Sequence, residues 1–410
     1  MKVIIVGGGI GGLTLALALQ RLGIATKVFE SAAEIRPLGV GINLLPHSTK
    51  ILASLGILDT LVDLAVTTKE AVFFNRFGQR IFSEPLGWFA GYQEPQVSIH
   101  RGDLQTTLLN ALKARIGAEN IVTDARCVGF DQDERGATGH FVDASGRSRT
   151  EEQGDVIVSA EGIHSGIRKR FFPNEGPPRY SGVNMWRGVS VWSPILTGAS
   201  MIRAGWLTNG KMVIYPIRDD VDGEGRQLVN WVAELETPVH AERDWNRKAS
   251  VEDFIGTFES WKFDWLDVPA LIRAADSVLE FPMVDQDPLP WWTQGRVTLM
   301  GDAAHPMYPR GSNGAGQAIL DATALAHHLA TESDPLVALK AYEAERLPRT
   351  SEVVLANRIN PPDAINREIW KRTGDKPFGR IEEVISLEEL TALSDGYKKV
   401  AGYDRSSLAS

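Results

Sequence analysis

The chain has 410 residues, of which 43% are hydrophobic and 23% charged, and its formal net charge is −9. This length allows about two or three domains with large cores, and the mild acidic balance excludes the concentrated basic face of a nucleic-acid-binding protein. The single cysteine, Cys127, excludes an intrachain disulfide and a cysteine-based metal site. We expect no metal, and a reducing, cytoplasmic location.

No uncharged run in the sequence approaches the roughly 18 residues that a membrane-spanning helix needs. The apolar stretch 10–19 resembles the core of a signal peptide. Glycines precede and interrupt it, however, and no cleavage site of small residues follows a basic segment. We therefore expect neither a membrane span nor a signal peptide.

The first 30 residues have the pattern of a βαβ unit. Residues 2–6 (KVIIV) are a β-branched run typical of a buried parallel strand, residues 13–22 are rich in Leu and Ala, and residues 25–30 (ATKVFE) predict the next strand. Between the first strand and the helix, GGGIGG at 7–12 fits the G-x-G-x-x-G pattern of a dinucleotide-binding loop.

The positions of these glycines match three physical roles. Gly7 permits a tight turn, Gly9 lets the backbone approach a pyrophosphate, and Gly12 lets the helix pack closely on the strand. The helix N-terminus offers free N–H groups to the phosphate. Glu30, 18 residues after Gly12, can accept hydrogen bonds from the adenosine ribose. A carboxylate there disfavours a 2′-phosphate, so the motif favours FAD or NAD and does not separate the two.

The rest of the chain predicts further helices and a second sheet. The alternation of Trp, Val, Ile and Tyr in residues 183–235, with turn dipeptides, indicates an antiparallel sheet. The other predicted elements are a helix at 46–58, a hairpin at 71–82, a helix at 102–116, short strands within 127–160, a helical region at 251–276, and helices at about 315–331 and 335–358.

A second motif follows the buried strand RVTLM at 296–300. GDAAHP begins at Gly301, and then Pro309, Gly311, Asn313 and Gly314 precede a helix. A carboxylate at the strand end, Asp302, can hold a ribityl hydroxyl. The glycine-rich helix N-terminus can face the pyrimidine edge of a flavin and stabilise the negative charge of its reduced form. This motif favours FAD.

Three motifs far apart in the sequence together resemble the class A flavoprotein aromatic hydroxylases, the para-hydroxybenzoate hydroxylase-like group. They are VGGGIGGL with Glu30, SAEGIHSGIR at 159–168, and GDAAHPMYPRGSNGAGQAILDA at 301–322. The resemblance covers about residues 1–360. Within the group the chain is most similar to the salicylate hydroxylase and methylphenazine hydroxylase-like branch. The last motif and the tail SLEELTALSDGYKKVAGY favour the methylphenazine hydroxylase-like members.

The resemblance implies an α/β fold in which an antiparallel-sheet substrate domain is inserted into a discontinuous Rossmann-type FAD-binding domain, followed by C-terminal helices. The tail is expected to be partly helical and peripheral. The implied boundaries are 1–70, 98–180 and 281–360 for the FAD-binding domain, 71–97 and 181–280 for the substrate domain, and 361–410 for the tail.

The resemblance also implies which residues bind FAD. Gly9 and Gly12 would contact the pyrophosphate and Glu30 the ribose, while Arg101, in IHRGDL, would reach FAD near the dinucleotide bridge. Asp302 would bind the ribityl chain. Asn313 and Gly314 would touch the isoalloxazine, and the flavin would lie along the loop that carries Gly39 and Gly41.

The middle motif departs from the family pattern at one position. The family usually has Asp-Gly there, implicated in binding both FAD and NAD(P)H, and this chain has Glu161-Gly162. The carboxylate is kept and is one methylene longer. Arg168 is at the expected place to assist with a pyrophosphate.

The implied reaction is the NAD(P)H-dependent hydroxylation of an aromatic or N-heteroaromatic ring. NAD(P)H binds transiently and reduces FAD, O₂ adds to give a flavin C4a-hydroperoxide, and the ring attacks its distal oxygen. A ring carboxylate could instead be lost by oxidative decarboxylation. The protein is expected to be a monomer or a homodimer.

Three side chains are candidates for catalysis. Tyr215, in KMVIYPI, matches a position where related hydroxylases place a tyrosine near the substrate hydroxyl, and a packed tyrosine is the alternative. His47 could act as a base or be a structural residue at a helix start. Arg187 could bind a carboxylate or a nicotinamide nucleotide, or could be a solvated surface charge. His305 is expected to fix the loop after Asp302.

Two other functions remain as alternatives. A non-catalytic escort or scaffold protein could retain the fold, as the GDP-dissociation inhibitors do, and the intact 302–314 motif argues against it. A flavin halogenase is the other, and its Trp-x-Trp-x-Ile-Pro signature is absent from the sequence.

Overall fold

The computed structural model describes residues 1–36, 39–237, 249–359 and 361–408. Its strands, in chain order, are β1 Lys2–Val6, β2 Ala25–Phe29, β3 Gly41–Leu44, β4 Val66–Thr67, β5 Glu70–Phe74, β6 Arg80–Pro85, β7 Val97–His100, β8 Ile121–Val122, β9 Arg126–Gln132, β10 Ala137–Val142, β11 Ser148–Gly154, β12 Val156–Ser159, β13 Arg179–Trp192, β14 Ser200–Gly205, β15 Lys211–Arg218, β16 Gln227–Glu236, β17 Lys262–Phe263, β18 Leu266–Asp267, β19 Ala275–Asp285, β20 Thr293–Gln294 and β21 Val297–Leu299.

The α-helices within the same residues are α1 Ile10–Arg21, α2 Pro46–Ser54, α3 Leu58–Leu64, α4 Arg101–Ile116, α5 Gly166–Phe171, α6 Val268–Arg273, α7 Gly314–Thr331, α8 Pro335–Ile359, α9 Ala364–Thr373, α10 Leu387–Ala401 and α11 Arg405–Leu408. The helices predicted near 102, 315 and 335 are confirmed. The helix predicted at 46–58 is interrupted after Ser54, and α3 begins at Leu58.

A mainly parallel sheet forms the first layer, in the strand order β20-β21-β12-β1-β2-β8. Strand β1 lies between β12 and β2 and pairs with both in parallel, and β12 pairs in parallel with β21. Its residues Val3, Ile4 and Ile5 are fully buried, because helices cover both faces of such a sheet. The predicted N-terminal βαβ unit is confirmed.

Helix α1 packs against α7, which brings the first and last motifs together. A Cβ at Gly11 of α1 would lie only 3.2 Å from that of Ala318 of α7. Strands β1 and β21 run parallel to each other on either side of β12. The loops that follow them therefore meet at the carboxyl edge of the sheet, where open α/β sheets bind their ligands.

The second large sheet has the order β19-β13-β16-β15-β14-β5-β6. Its pairings are antiparallel except for the parallel pair of β14 with β5. The predicted antiparallel sheet is confirmed, and the predicted hairpin forms its edge as β5 and β6. Two smaller sheets, β3-β7-β4 and β11-β10-β9, connect and flank the large ones.

The helical prediction for residues 251–276 is largely wrong. This segment contains isolated turns, the short pair β17–β18 and the six-residue helix α6. The aromatic side chains of this segment pack around Trp231 of β16 on one face of the second sheet: Phe254, Phe258, Trp261 and Trp265. This packing outweighs the weak helical periodicity of the sequence.

The expectation of a peripheral tail is also wrong. Helix α10 begins with a capping box, in which Ser386 and Glu389 satisfy each other's backbone N–H groups. Its Tyr397 is 4% exposed and lies beside the loop that precedes α7. Tyr403, just after the helix, stacks on His47 with the ring centroids 5.6 Å apart. The tail therefore forms part of the wall of the site.

Candidate active site

The glycine-rich loop lies between β1 and α1, and each predicted glycine has its own steric reason. Gly7 has a φ of +114°, and a Cβ there would lie 2.2 Å from the carbonyl oxygen of Ala160. A Cβ at Gly12 would lie 2.0 Å from the carbonyl oxygen of Gly7, so only glycine lets α1 pass so close to the turn. Among the described residues, no atom lies within 4 Å of a Cβ built at Gly9. That side of the loop is open to a pyrophosphate.

Glu30 follows β2 and is held by two backbone groups. One carboxylate oxygen accepts a hydrogen bond from the N–H of Gly8 at 2.7 Å, and the other accepts one from Ala32 at 2.8 Å. Gln105 of α4 donates to the carbonyl of Gly8 at 2.9 Å and steadies the same loop. The carboxylate therefore lies beside the phosphate-binding loop, where a contact with the adenosine ribose requires it.

The loop before β3 connects Arg101 to the second sheet. Gly39 has a φ of +126°, and a Cβ there would lie 3.5 Å from that of Arg101. The N–H of Gly41 donates to Asn230 Oδ1 at 2.7 Å, and its carbonyl accepts from Arg187 at 2.9 Å. The Arg101 side chain is exposed. This loop is thus fixed between the two sheets, with a cation at one end.

Asp302 lies in the short turn that follows β21, three residues after Leu299. Solvent reaches this residue through an opening in the protein. The surrounding protein nevertheless desolvates the carboxyl and raises its pKa, and His305 and Arg101 oppose that rise. No described residue donates a hydrogen bond to this carboxylate. A cofactor hydroxyl would supply the missing donor.

The loop that carries Asp302 is held from behind by Asp321 of α7. Asp321 accepts hydrogen bonds from the N–H of Gly301 at 3.0 Å, from His305 Nε2 at 2.6 Å and from Arg346 Nε at 2.8 Å. Burial alone would raise the pKa of Asp321, but His305 and Arg346 outweigh it and lower the pKa to about 2. His305 lies where the sequence predicted a loop-fixing residue.

The loop from Pro309 to Gly314 leads into α7. Pro309 is exposed, Gly311 has a φ of +74°, and a Cβ at Gly311 would lie 2.1 Å from the hydroxyl of Tyr397. The Asn313 amide donates to that hydroxyl at 2.8 Å, and its Oδ1 is buried without a described partner. Asn313 makes no capping bond to α7. The first N–H groups of α7, from Gly314 onward, therefore have no side-chain cap, as an anion- or flavin-facing helix end requires.

Glu161 is engaged with its own loop. One carboxylate oxygen accepts from the hydroxyls of Ser159 and Ser165, each at 2.8 Å, and from the N–H of Ile167 at 3.3 Å. The longer side chain thus caps the start of α5. The second oxygen makes no hydrogen bond within the described part of the chain, so a contact with a cofactor would use that oxygen.

Arg168 does not lie where the sequence placed it. It is 1% exposed, and its guanidinium donates to Glu175 at 2.8 Å and to the carbonyls of Ala303 and Ala304 at 3.0 and 2.9 Å. These bonds occupy the group and hold the loop after Asp302. A role at the pyrophosphate is therefore not supported, because the carboxylate of Glu175 already neutralises this cation.

Tyr215 and Arg187 lie together on the second sheet. Burial raises the pKa of Tyr215, and the neighbouring side chains of Arg187 and Asn43 oppose that rise. Asn43 in turn accepts from Ser98 at 2.5 Å. Arg187 Nε is buried without a described partner. The two predicted residues thus form one polar network on the side of the sheet that faces the Gly39–Gly41 loop.

His47 is separated from this network. It is 3% exposed, and neither ring nitrogen has a hydrogen-bond partner among the described residues. One ring nitrogen, Nε2, lies 3.0 Å from a Cβ built at Gly316. Burial, assisted by Arg346, lowers the pKa of His47 to about 3, although Asn313 opposes the shift. A general base works best with a pKa near the working pH. This environment argues against the predicted base role and favours a structural one.

Four residues that lie in the site were not predicted from the sequence: Asn43, Asn230, Asp321 and Tyr397. Asp321 lies inside the third motif, where a carboxylate on an otherwise apolar helix was a usable signal. The capping box of α10 predicts a helix but not where that helix docks. Asn43 and Asn230 gain their roles from contacts between distant segments, and no local pattern predicts such contacts.

No cluster of three His, Cys, Asp or Glu side chains within the described ranges could hold a metal ion. Over the same residues, no helix is both long and apolar enough to cross a membrane.

The residues present fit FAD. The open side of Gly9, the carboxylate of Glu30, the unpartnered carboxylate of Asp302 and the uncapped N-terminus of α7 follow one edge of the parallel sheet. In this arrangement Gly9 would face the pyrophosphate, Glu30 the adenosine ribose, Asp302 the ribityl chain and the start of α7 the isoalloxazine. The fold and the site therefore define a flavoprotein with a second sheet set against its flavin-facing loops.

The chain belongs to the FAD binding domain family, whose model matches residues 1–187 and 284–357. It is 42% identical to the phenazine 1,6-dicarboxylic acid hydroxylase PhzS of Lysobacter antibioticus, over 94% of this chain and 95% of that protein. It is 34% identical to the 3-amino-4-hydroxybenzoate 2-monooxygenase PtnB3 of Streptomyces platensis, over 86% and 85%. A salicylate hydroxylase substrate complex has the same fold, with a TM-score of 0.75, 22% identity and coverage of 100% and 97%.

These comparisons confirm the predicted resemblance to the class A aromatic hydroxylases near the phenazine and salicylate branch. The chain is an FAD-dependent monooxygenase that acts on an aromatic substrate.

Proposed function

We propose that this enzyme hydroxylates a carboxylated N-heteroaromatic ring of the phenazine type. The balance is ring C–H, O₂, NAD(P)H and a proton giving ring C–OH, NAD(P)⁺ and water. FAD, when bound, supplies the transfer of electrons from NAD(P)H and the activation of O₂. The observation that carries the proposal is the Arg187–Tyr215–Asn43 network beside the Gly39–Gly41 loop, together with 42% identity to a phenazine 1,6-dicarboxylic acid hydroxylase.

The residues are assigned roles by their contacts. Glu30, Gly9 and Gly12 hold the adenosine end of FAD, Asp302 binds its ribityl chain, and Asn313 and Gly314 face the ring system. Further contacts with FAD are assigned to Gly7, Gly39, Gly41, Arg101, Glu161, Pro309 and Gly311. Tyr215 holds and moves a proton at the substrate's hydroxyl or ring nitrogen, and Arg187 orients both Tyr215 and the substrate. The buried position of His47 supports packing instead of catalysis.

The proposal includes a division of the chain. Residues 1–70, 98–180 and 281–360 bind FAD and residues 71–97 and 181–280 bind the substrate, which the two sheets and the family match at 1–187 and 284–357 support. The tail is residues 361–410, and its described part, up to residue 408, lines one side of the site. We infer a monomer or homodimer and, from the single cysteine, a cytoplasmic location.

The test measures NAD(P)H oxidation, O₂ uptake and product mass for the FAD-loaded enzyme across phenols, quinolones and phenazines. For Tyr215→Phe we expect kcat to fall about 100-fold or more with KM nearly unchanged, since general acid–base groups contribute about that much. Tyr180→Phe, on the same sheet but bonded to Thr237, is the matched control. If no ring gains oxygen, the proposed function is wrong. If Tyr215→Phe keeps full kcat, the role of Tyr215 is wrong.

A further inference from the structure

One row of side chains crosses the second sheet on the face that carries Tyr215. Arg203 of β14 lies opposite Val213 of β15, Val213 lies opposite Val232 of β16, and Val232 lies opposite Arg187 of β13. Directly opposed residues in antiparallel strands point to the same face. Arg203 and Arg187 therefore stand at the two ends of an apolar row, about 14 Å apart at the backbone for three strand spacings.

The guanidinium of Arg203 has no polar partner of its own. Its central carbon lies 5.4 Å from the centre of the Phe73 ring, and it makes no hydrogen bond or ion pair with any described residue. A cation–π contact leaves the in-plane N–H donors of arginine unsatisfied. Arg203 is half-buried. Its positive charge acts to lower the pKa of three buried tyrosines, Tyr215, Tyr397 and Tyr403. The group therefore faces an internal space.

The nearby carboxylates are already bound to another cation. Lys211 Nζ lies 3.0 Å from both carboxylate oxygens of Glu234 and also contacts Asp363, and all three side chains are almost fully buried. Arg310, from the flavin-facing loop, is 9% exposed, and its Nε has no described partner. This region thus holds three cations, Lys211, Arg203 and Arg310, for two carboxylates. One more negative charge would balance it.

We propose that Arg203 is the specificity-determining residue that binds a carboxylate of the aromatic substrate, at the opposite end of the row from Arg187. A carboxylate is the planar anion that matches the fork of a guanidinium. The ligand is a flat aromatic acid whose ring lies over the apolar middle of the row and whose carboxylate points away from Arg187. This inference rests on the proposed function, because it takes the face of Tyr215 as the substrate side.

The test is an equilibrium titration of the FAD-loaded enzyme, followed by the change in flavin absorbance. The probes are phenazine-1-carboxylate and its neutral analogue phenazine-1-carboxamide. For Arg203→Gln we expect the Kd of the carboxylate to rise about 10- to 100-fold, the range for a hydrogen bond to a charged group. The Kd of the carboxamide should stay the same. Arg203→Lys, which keeps the charge without the fork, should retain part of the affinity.

The matched control is Arg226→Gln, since Arg226 forms an exposed ion pair with Asp222 at the β15–β16 hairpin. It should leave both Kd values unchanged. FAD content and circular dichroism establish that each variant is folded. Three results would each overturn the inference. The first is an equal loss of affinity for both probes in Arg203→Gln, and the second is an unchanged Kd for the carboxylate in that variant. The third is a wild-type enzyme that binds neither probe. Because binding is measured without turnover, failure of the hydroxylation assay would overturn the proposed function separately.

Discussion

Two sets of polar side chains lie in the same site, and they differ in how many hydrogen bonds the described residues make to them. Asp321 accepts hydrogen bonds from a backbone N–H, a histidine and an arginine. Asp302, Arg203 and the Nε of Arg187 have no such partner in the described part of the chain. Burying an unpaired polar group costs free energy, so a fold keeps one only where something else compensates it. We propose that the first set holds the loops and that the second set faces the ligands.

The largest expected effect tests the first set. Asp321→Asn removes the charge that pairs with His305 and Arg346 while keeping the size of the side chain. We expect the free energy of unfolding of the FAD-free protein to fall by about 3–5 kcal/mol, because the mutation leaves the buried guanidinium of Arg346 without its anion. Urea unfolding at pH 7 measures this change.

The matched control for Asp321 is Glu368→Gln, which breaks the exposed ion pair with Arg372. Surface pairs of this kind contribute about 0–1 kcal/mol. Equal losses for the two variants would show that the buried cluster is not what holds the loop.

The second effect concerns His47, which is buried and unpaired but faces helix α7 instead of the substrate side. Its pKa is about 3 in the folded protein, against 6.5 for the free side chain. Below pH 6.5 the unfolded chain therefore binds a proton that the folded chain does not. Stability is complete above pH 6.5 and falls as the pH drops towards 3. Between pH 6.5 and 4.5 this one group should remove about 2–3 kcal/mol.

The comparison that isolates His47 is the variant His47→Gln. Urea unfolding from pH 4.5 to 7.5 should have a shallower pH dependence in this variant than in the wild type. Parallel curves would mean that His47 becomes charged in the folded protein, and a role as a base would regain support.

The sequence predicted those elements of the fold and the site whose residues are close together in the chain. The turn at Gly7–Gly12, the strand before it and the helix after it are adjacent in the chain, so their spacing was sufficient to place them. The same holds for β21, Asp302 and the start of α7. The hydrophobic alternation of residues 183–235 predicted the second sheet for the same reason.

The sequence could not predict contacts between distant segments. Arg168 matches the position of a phosphate ligand in the family, but its guanidinium donates to the carbonyls of Ala303 and Ala304, 135 and 136 residues further along the chain. Tyr397 lies 84 residues after Asn313, to which it is hydrogen-bonded. The aromatic residues of 251–276 form turns because they pack on the sheet, a tertiary effect that overrides helical propensity.

The sharpest comparison is between the two aspartates of the third motif. Asp302→Asn should weaken FAD binding about 10- to 100-fold, the range for a lost charged hydrogen bond, measured by flavin fluorescence titration. The stability of the FAD-free protein should not fall, because the change removes a carboxylate that burial disfavours and no described residue pairs with. Asp321→Asn should have the opposite pattern. Its main effect should be a loss of stability of the FAD-free protein. If instead Asp302→Asn destabilises the FAD-free protein and binds FAD normally, then Asp302 has a structural role. In that case the lack of a hydrogen-bond partner within the protein does not identify ligand-binding side chains in this site.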